Sequence, residues 1–424
     1  TRPCASGWLN TGASVPKATP RILFNAKDHY TCASGYGIIA KHLVPRLADR
    51  YGKDNVLVFA PVYNRDRIED WNGVKILPGL AGAFEDDLLL LHYKKYQCNM
   101  LLQVGDWVML KQIPTWAARD EILWVMWAPF DFVNPPPWVK DVIRLALKVV
   151  PFTQYGERQF RAMGLTNVEP AIWLGIEPRI WFPQDRRRLP QVMTALGFSE
   201  DTYNILIVQA NQVRKNVREQ LEAIKLFRQS VPEAKPRLYL HSHTEQGGER
   251  ALALDLKELG LEDITVTVDQ YTLVCGGLPE EQMAGIFNCA DVVMDCCFEG
   301  FGYSTLQAQA VGVPVVILEE GPGPELTRFG VQVPAHHLDR NTAVQKPVAD
   351  PQHIAQALIE LYQQRGVRSE LSPRWVAEHF NWDTIAEQWF RVIEDTMEMR
   401  ETYSLYLPQP SARLQQQAQE LVEL

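Results

Sequence analysis

Several motifs of common enzyme classes are missing from this 424-residue sequence. It contains no G-x-S-x-G, H-E-x-x-H or G-x-x-x-x-G-K-S/T string, which argues against the usual serine hydrolases, metalloproteases and P-loop proteins. Its seven cysteines form no C-x-x-C pair, so neither a disulfide framework nor a zinc site is expected. The longest apolar run, Ile122 to Phe130, is far shorter than the roughly 20 residues that span a bilayer. We therefore predict a cytoplasmic protein without a metal or a transmembrane helix, and leave attachment to the periphery of a membrane open.

The sequence also lacks a basic excess. Its net charge is −9, which argues against a general nucleic-acid binder because such proteins displace counterions with a basic surface. The charge is uneven: there are 21 basic and 18 acidic residues up to Asp185, and 21 basic and 33 acidic residues after it. The weak positive bias of the first part permits an anionic partner there without requiring one.

Short apolar runs alternate with helical patterns along the chain, which predicts an α/β protein with parallel sheets covered on both faces. The strand series restarts after a charged stretch at Pro183–Pro190. We predict two Rossmann-like domains facing a central cleft, residues 1–185 and 186–380, and a helical tail, residues 381–424. The tail contains an amphipathic pattern after Ser411, and it either packs back on a domain or supports homo-oligomerisation. The predicted strands are 21–25, 55–59, 74–77, 100–104, 122–127, 149–153, 171–174, 204–209, 237–241, 264–268, 291–295 and 314–318.

The most informative segment runs from Cys297 to Val316 and is typical of a strand, a glycine loop and a helix start. Gly300 and Gly302 allow the backbone to approach a ligand, and a helix beginning near Tyr303 directs unpaired N–H groups at the loop. The hydroxyls of Ser304 and Thr305 add hydrogen-bond donors suited to a phosphate. The carboxylate of Glu299 can accept hydrogen bonds from sugar hydroxyls, and Gln307 follows on the Tyr303 face of the helix.

A second segment places two cations after a predicted strand. The predicted strand at 204–209 is followed by Asn211, then by Arg214 and Lys215, and then by a predicted helix. Arginine can bind phosphate with two hydrogen bonds and lysine supplies a mobile point charge. Both suit a diphosphate leaving group whose negative charge grows during a transfer reaction.

The Glu299 to Val316 string resembles the retaining glycosyltransferases of the GT-B fold, in particular the family 4 type (glycosyltransferase group 1), which use nucleotide-sugar donors. The resemblance implies that Glu299 lies near the donor sugar and that Gln307 replaces the glutamate that usually holds the ribose. It also implies that Lys215 is the basic residue of the phosphate loop. The arginine that the family has several positions earlier is missing, and Arg214 is our own choice of substitute for it. The segment from Ile172 to Glu177 is similar to one found in a subgroup of this family, but Leu174 stands where that subgroup has a histidine.

Further matches extend the resemblance to both domains. Gly277 and Leu278 resemble the family's nucleobase segment, and Gly35 and Gly37 resemble its donor-facing glycine loop. The predicted acceptor-side residues are Asp106, Trp107 and Asp131, and the predicted catalytic residues are Glu299, Lys215 and Asp131. The predicted donor-binding residues are Gly35, Gly37, Asn211, Arg214, Lys215, Gly277, Leu278, Glu299, Gly300, Phe301, Gly302, Tyr303, Ser304, Thr305, Leu306 and Gln307.

The sequence thus predicts a retaining glycosyltransferase that uses a UDP- or GDP-linked sugar as co-substrate, without a metal or other cofactor. Two alternatives stay open: a nucleotide-sugar epimerase or hydrolase of the same fold, and a non-catalytic nucleotide-sugar-binding protein. The acceptor is not identified, and a glycan, lipid, protein, small molecule or modified base all agree with the sequence.

Overall fold

The computed structural model describes residues 19–404 apart from 62–66, 80–87, 108, 109, 111, 120, 132, 134, 249 and 339–345. The amphipathic pattern predicted after Ser411 lies outside the described residues.

The first domain is built on a seven-stranded sheet in the order β3-β4-β2-β1-β5-β6-β7, in which only β3 is antiparallel to its neighbour. The strands are β1 (Ile22–Asn25), β2 (Val56–Phe59), β3 (Glu69–Trp71), β4 (Val74–Leu77), β5 (Met100–Val104), β6 (Trp124–Ala128) and β7 (Lys148–Pro151). The helices are α1 (Gly35–Tyr51), α2 (Leu89–Lys95), α3 (Ile113–Ala118), α4 (Trp138–Ile143) and α5 (Gln154–Ala162). The central strands β1, β5 and β6 are buried throughout, because helices cover both faces of the sheet.

The second domain has a six-stranded parallel sheet in the order β10-β9-β8-β11-β12-β13. The strands are β8 (Tyr203–Val208), β9 (Pro236–His241), β10 (Thr265–Thr267), β11 (Val292–Asp295), β12 (Val315–Leu318) and β13 (Gly330–Val333), and a separate antiparallel hairpin contains β14 (Ala335–Leu338) and β15 (Lys346–Ala349). The helices are α6 (Pro190–Ala195), α7 (Val217–Ser230), α8 (Leu252–Leu259), α9 (Gln270–Val274), α10 (Glu280–Cys289), α11 (Tyr303–Ala310), α12 (Gly323–Leu326), α13 (Pro351–Gln363), α14 (Leu371–His379) and α15 (Trp382–Ser404).

These two sheets confirm the predicted α/β fold class with two Rossmann-like domains. The first sheet lies within residues 22–151 and the second within 203–333. The predicted strand at 171–174 is wrong, since this segment lies beyond β7 and is held by single contacts: the Ile172 N–H donates to the Pro151 carbonyl at 3.0 Å, and its carbonyl accepts from Trp127 Nε1 at 2.9 Å.

The last described helix, α15, returns to the first domain. Trp389 is fully buried and packs edge-on against Trp127 of β6, with ring centroids 4.9 Å apart. Arg46 and Arg50 of α1 pair with acidic residues of α15. The start of the predicted tail therefore packs on the first domain. Among the described helices, none is both long enough and apolar enough to cross a membrane.

Candidate functional site

A cleft of about 710 Å³ lies between the two domains, where loops follow the carboxyl ends of β1, β5 and β6 in one sheet and β8, β9 and β11 in the other. This is the edge at which parallel α/β sheets bind ligands, and the volume is in the range of small-molecule sites. A side chamber of about 480 Å³ adjoins it and shares Gly35, Tyr303 and Ser304 as lining residues.

A cluster of two cations and two carboxylates crosses the cleft. Arg214 and Lys215 lie in a 3-10 turn in the loop that follows β8, and both line the cleft. The Lys215 ammonium contacts Glu299, and Arg214 Nη1 lies 3.8 Å from Glu299 Oε2. Arg214 Nε also lies 3.6 Å from Asp131 Oδ2 of the first domain. The structure thus brings together Glu299, Lys215 and Asp131, the three residues that the sequence singles out as catalytic.

Lys215 is held in an unusual environment for a lysine. Burial lowers the pKa of Lys215 to about 8, and Arg214 acts in the same direction, whereas Cys297 and Asp295 oppose the shift. A buried ammonium of this kind gains much from an anionic ligand, because water no longer screens the attraction.

The first turn of α11 is anchored by a carboxylate that is distant in sequence. Asp295, at the end of β11, accepts hydrogen bonds from the Thr305 N–H at 3.1 Å and the Thr305 hydroxyl at 2.6 Å. Gly302, at the N-cap, has φ +115°, a conformation that favours glycine. The N–H groups of Gly302, Tyr303 and Ser304 form no hydrogen bond with a described residue. They are the donors that the helix start offers to an anion.

The structure corrects the predicted role of the two hydroxyls. The Ser304 hydroxyl donates to the Val208 carbonyl at 2.7 Å, and the Thr305 hydroxyl donates to Asp295. Both hydroxyls donate within the protein, so this helix start offers a phosphate only its backbone N–H groups. Thr305 and Leu306 are also buried below the cleft and are absent from its lining, because their side chains face the domain core.

Two of the predicted glycines, Gly300 and Gly37, are required for close packing within the protein. A Cβ at Gly300 would lie 2.2 Å from the Cβ of Pro129, so this glycine allows the two domains to approach each other. A Cβ at Gly37 would lie 2.2 Å from the Cys32 carbonyl oxygen, and Gly37 is not part of the cleft lining. Gly35 does line the cleft, facing the ring of Tyr303.

Two further predicted residues lie away from the ligand space. The Asn211 amide donates to the carbonyl oxygens of Gln246, Gly247 and Arg250 at 3.0–3.1 Å, so its side chain holds a loop. Trp107 is buried and packs edge-on against Trp138, whereas its neighbour Asp106 lines the cleft.

The side chamber collects the residues that the resemblance relates to the nucleoside. Gly277, Leu278 and Gln307 line it, together with Tyr303. Glu280, the first residue of α10, also lines it. Phe301 and Gly302 line the main cleft, so the segment from Glu299 to Gln307 borders both spaces.

Sequence reasoning missed several lining residues: Tyr36, Gln209 and Cys32. It gave His241 and His243 no specific role, although both line the cleft. Gln209 and His241 stand at the carboxyl ends of β8 and β9, and that position is the signal that could have identified them. Burial lowers the pKa of His241 to about 4, so this side chain is neutral at pH 7.

One described group has a ligand set that could hold a metal ion. Ligand atoms of Asp295, Cys297 and Glu299 all lie within 4.8 Å of one another. The Lys215 ammonium already contacts Glu299 there, and the Cys297 thiol donates to Asp295 at 3.1 Å and to Glu299 at 3.2 Å. The same carboxylates are thus bound by protein donors in this structure.

The comparison with known families agrees with this geometry in the second domain. Residues 202–364 match the glycosyl transferases group 1. The matched segment contains Arg214, Lys215 and Glu299. No curated protein sequence matches the chain significantly.

Solved structures of GT-B glycosyltransferases share the whole fold. A glycosyltransferase from Rickettsia africae is 11% identical, with a TM-score of 0.65, and the match covers 89% of this chain and 99% of that one. Anabaena HepE, solved with UDP and glucose, is 16% identical, with a TM-score of 0.62 and coverage of 88% and 99%. The catalytic domain of starch synthase IV from Arabidopsis thaliana, solved with ADP and acarbose, is 13% identical, with a TM-score of 0.61 and coverage of 90% and 100%. The two-domain GT-B fold is therefore shared at low sequence identity.

Proposed function

We propose that this protein is a retaining glycosyltransferase that moves a sugar from a nucleoside-diphosphate sugar to an acceptor hydroxyl. The observation that carries the proposal is the position of Arg214 and Lys215 at one cleft with the open N–H groups of α11, with Glu299 against both cations. The group 1 family match of residues 202–364 supports it.

The proposed chemistry is electrostatic stabilisation of a leaving diphosphate. Charge develops on the phosphate oxygens as the bond to the sugar breaks, and fixed donors in a buried site stabilise that charge without reorganising. Arg214, Lys215 and the helix start would supply those donors, and Glu299 would hold the sugar hydroxyls. These cations would neutralise the diphosphate, so the proposal requires no metal. The acceptor hydroxyl would attack from the face that the diphosphate leaves.

The nucleotide is proposed to lie with its base and ribose in the side chamber. Gln307 offers the ribose a neutral amide where the family usually has a carboxylate. Structural neighbours were solved with UDP and with ADP, so UDP, ADP and GDP form the first panel of donors. A cytoplasmic location is part of the proposal.

A thermal-shift screen with UDP, ADP and GDP, followed by transfer assays with the matching donor, tests the proposal. The variants Lys215→Ala and Glu299→Ala should each lose most of the transfer while staying folded. Lys257→Ala changes an exposed lysine on α8 and serves as the control. Full turnover in either site variant would refute the assignment, and donor turnover without any acceptor would favour an epimerase or hydrolase.

A further inference from the structure

The wall that the first domain contributes to the cleft is acidic. Among its described lining residues, the only charged side chains are Asp106 and Asp131. Tyr36 lies on the same wall, and Ser34 lines it with a hydroxyl that donates to the carboxylate of Asp28. We call Tyr36, Asp106 and Asp131 the acceptor wall, because they face the second-domain residues that we propose to bind the donor.

Asp131 has an unsatisfied acceptor within the described structure. The residue is only 7% exposed, and its Oδ2 lies 3.6 Å from Arg214 Nε. Its Oδ1 is buried and accepts no hydrogen bond from a described residue. Buried polar atoms are nearly always hydrogen-bonded, so we expect a ligand to donate a hydrogen bond to this oxygen. A hydroxyl or an ammonium can supply one, whereas an ionised phosphate offers only acceptors.

The pKa of Tyr36 reflects the negative electrostatic potential at this wall. Burial raises the pKa of Tyr36 well above its usual value, and the carboxylates of Asp106 and Asp131 raise it further. Arg214 opposes the shift but does not cancel it. A second anion at this wall would meet the same repulsion.

The cations that line the cleft belong to the donor side. Arg214 and Lys215 come from the second domain, they contact Glu299, and the proposed function assigns them to the donor diphosphate. His241 is neutral at pH 7 because burial lowers its pKa to about 4. No described first-domain lysine or arginine lines the cleft. The positive bias of residues 1–185 therefore does not extend to the described part of this wall.

We infer that the acceptor is a polyol without an anionic group, either uncharged or carrying an ammonium, and that phosphorylated acceptors are disfavoured. This inference rests on the proposed function and narrows it, because it concerns the second substrate of the same cleft. It reverses the expectation from net charge, which permitted an anionic acceptor on the first domain.

Binding of matched sugars tests the inference directly. Saturation-transfer NMR competition would compare the free sugar, the 2-amino sugar and the 6-phosphate of glucose, mannose and galactose, with and without UDP, ADP or GDP. We expect the free or amino form of at least one sugar to bind tenfold or more tightly than its phosphate, which corresponds to about 1.4 kcal/mol. Higher salt should narrow the gap, because it screens the repulsion of the phosphate.

The variants Asp131→Asn and Asp106→Asn test whether the acceptor wall causes the preference for free and amino sugars over sugar phosphates. Each should weaken binding of the amino sugar and reduce its advantage over the phosphate at least threefold, and the second variant serves if the first fails to fold. Phosphates that bind as tightly as the free sugars would overturn the inference, as would a panel in which no sugar binds. Nucleotide binding is measured in the same samples. If no nucleotide binds, the proposed function is refuted. The relative affinities of the free, amino and phosphorylated sugars, measured without nucleotide, still decide the charge preference of the acceptor wall.

Discussion

The pair between Lys215 and Glu299 allows a quantitative test of the site. Both side chains are largely buried, with 9% and 21% of their surface exposed. Two unit charges about 4 Å apart attract each other by roughly 4 kcal/mol at an effective dielectric constant near 20. The variant Lys215→Met removes this attraction and leaves Glu299 with Arg214 at 3.8 Å as its remaining cation. The variant also removes the desolvation penalty of the ammonium, which is large, since burial lowers the pKa of Lys215 to about 8. We therefore expect a net loss of at most about 2 kcal/mol in the free energy of unfolding.

The double variant Lys215→Met/Glu299→Gln should recover most of that loss, because it removes the unpaired carboxylate together with the lysine. The expected coupling energy is about 1–2 kcal/mol, within the usual range for contacting residues. Urea unfolding by circular dichroism measures it. Tryptophan fluorescence provides a second probe, since all 12 tryptophans lie outside residues 182–374 and therefore outside the sheet of the second domain. A double variant as unstable as the sum of the single ones would refute the paired arrangement. Both Lys215→Met and the double variant should bind nucleoside diphosphates weakly, because both lack the ammonium of Lys215.

Three further predictions follow from individual contacts. Because burial lowers the pKa of Lys215 to about 8, affinity for a nucleoside diphosphate should fall as pH rises above 8 in titration calorimetry, by up to about tenfold per pH unit. The substitution Gly300→Ala would place a Cβ 2.2 Å from that of Pro129, so it should push the domains apart and reduce transfer strongly in a turnover assay. Glu325 accepts from the N–H groups of Gln154 and Tyr155 at the start of α5, and Glu325→Gln should lower the free energy of unfolding by about 1–3 kcal/mol in urea, since an amide has one acceptor oxygen.

Each of these has a matched control. Lys215→Arg keeps its charge at high pH, so the fall in affinity above pH 8 should disappear, and a persistent fall would assign the titration to another group. Gly285→Ala adds a methyl group whose nearest neighbour would be 3.9 Å away, so it should be tolerated, and equal activity in both glycine variants would contradict the domain contact at Gly300. Glu360→Gln changes an exposed residue of α13, and a stability loss as large as that of Glu325→Gln would show that the contact between Glu325 and α5 is not the cause.

Local patterns predicted the central strands well, because these strands are buried on both faces and read as continuous apolar runs. For example, β1, β5 and β11 lie within the apolar segments from which strands were predicted. The edge strand β3 was missed because it reads Glu69, Asp70 and Trp71 and is partly exposed, so it carries no apolar signal. β13 was missed for the same reason, since its first three residues are not buried.

At the site, the sequence identified charged residues that the fold brings to one cleft, but it could not show which hydrogen-bond donors the protein itself uses. The Ser304 hydroxyl follows a glycine loop and reads as a phosphate donor, yet the carbonyl that accepts its hydrogen bond belongs to Val208. Asp295 reads as the last residue of an apolar strand, and only the fold shows that it caps α11. Gly300 reads as a ligand-facing glycine, but the close neighbour is Pro129 of the other domain. In each case the deciding partner is distant in sequence.

Two carboxylates of the second domain, the buried Glu280 and the half-buried Glu325, accept hydrogen bonds from the first domain and so help to hold the two sides of the cleft together. Glu280 accepts from Lys41 at 2.7 Å, from His42 at 2.8 Å and from Trp181 at 3.3 Å. Burial opposes ionisation of Glu280, but His42 and Lys41 outweigh it and lower the pKa of Glu280 to about 2. Glu325 makes the corresponding contacts to the start of α5. In this apposition Arg214 Nε lies 3.6 Å from Asp131 Oδ2, so we expect loss of the contacts of either carboxylate to weaken the juxtaposition of the acceptor wall and the donor cations.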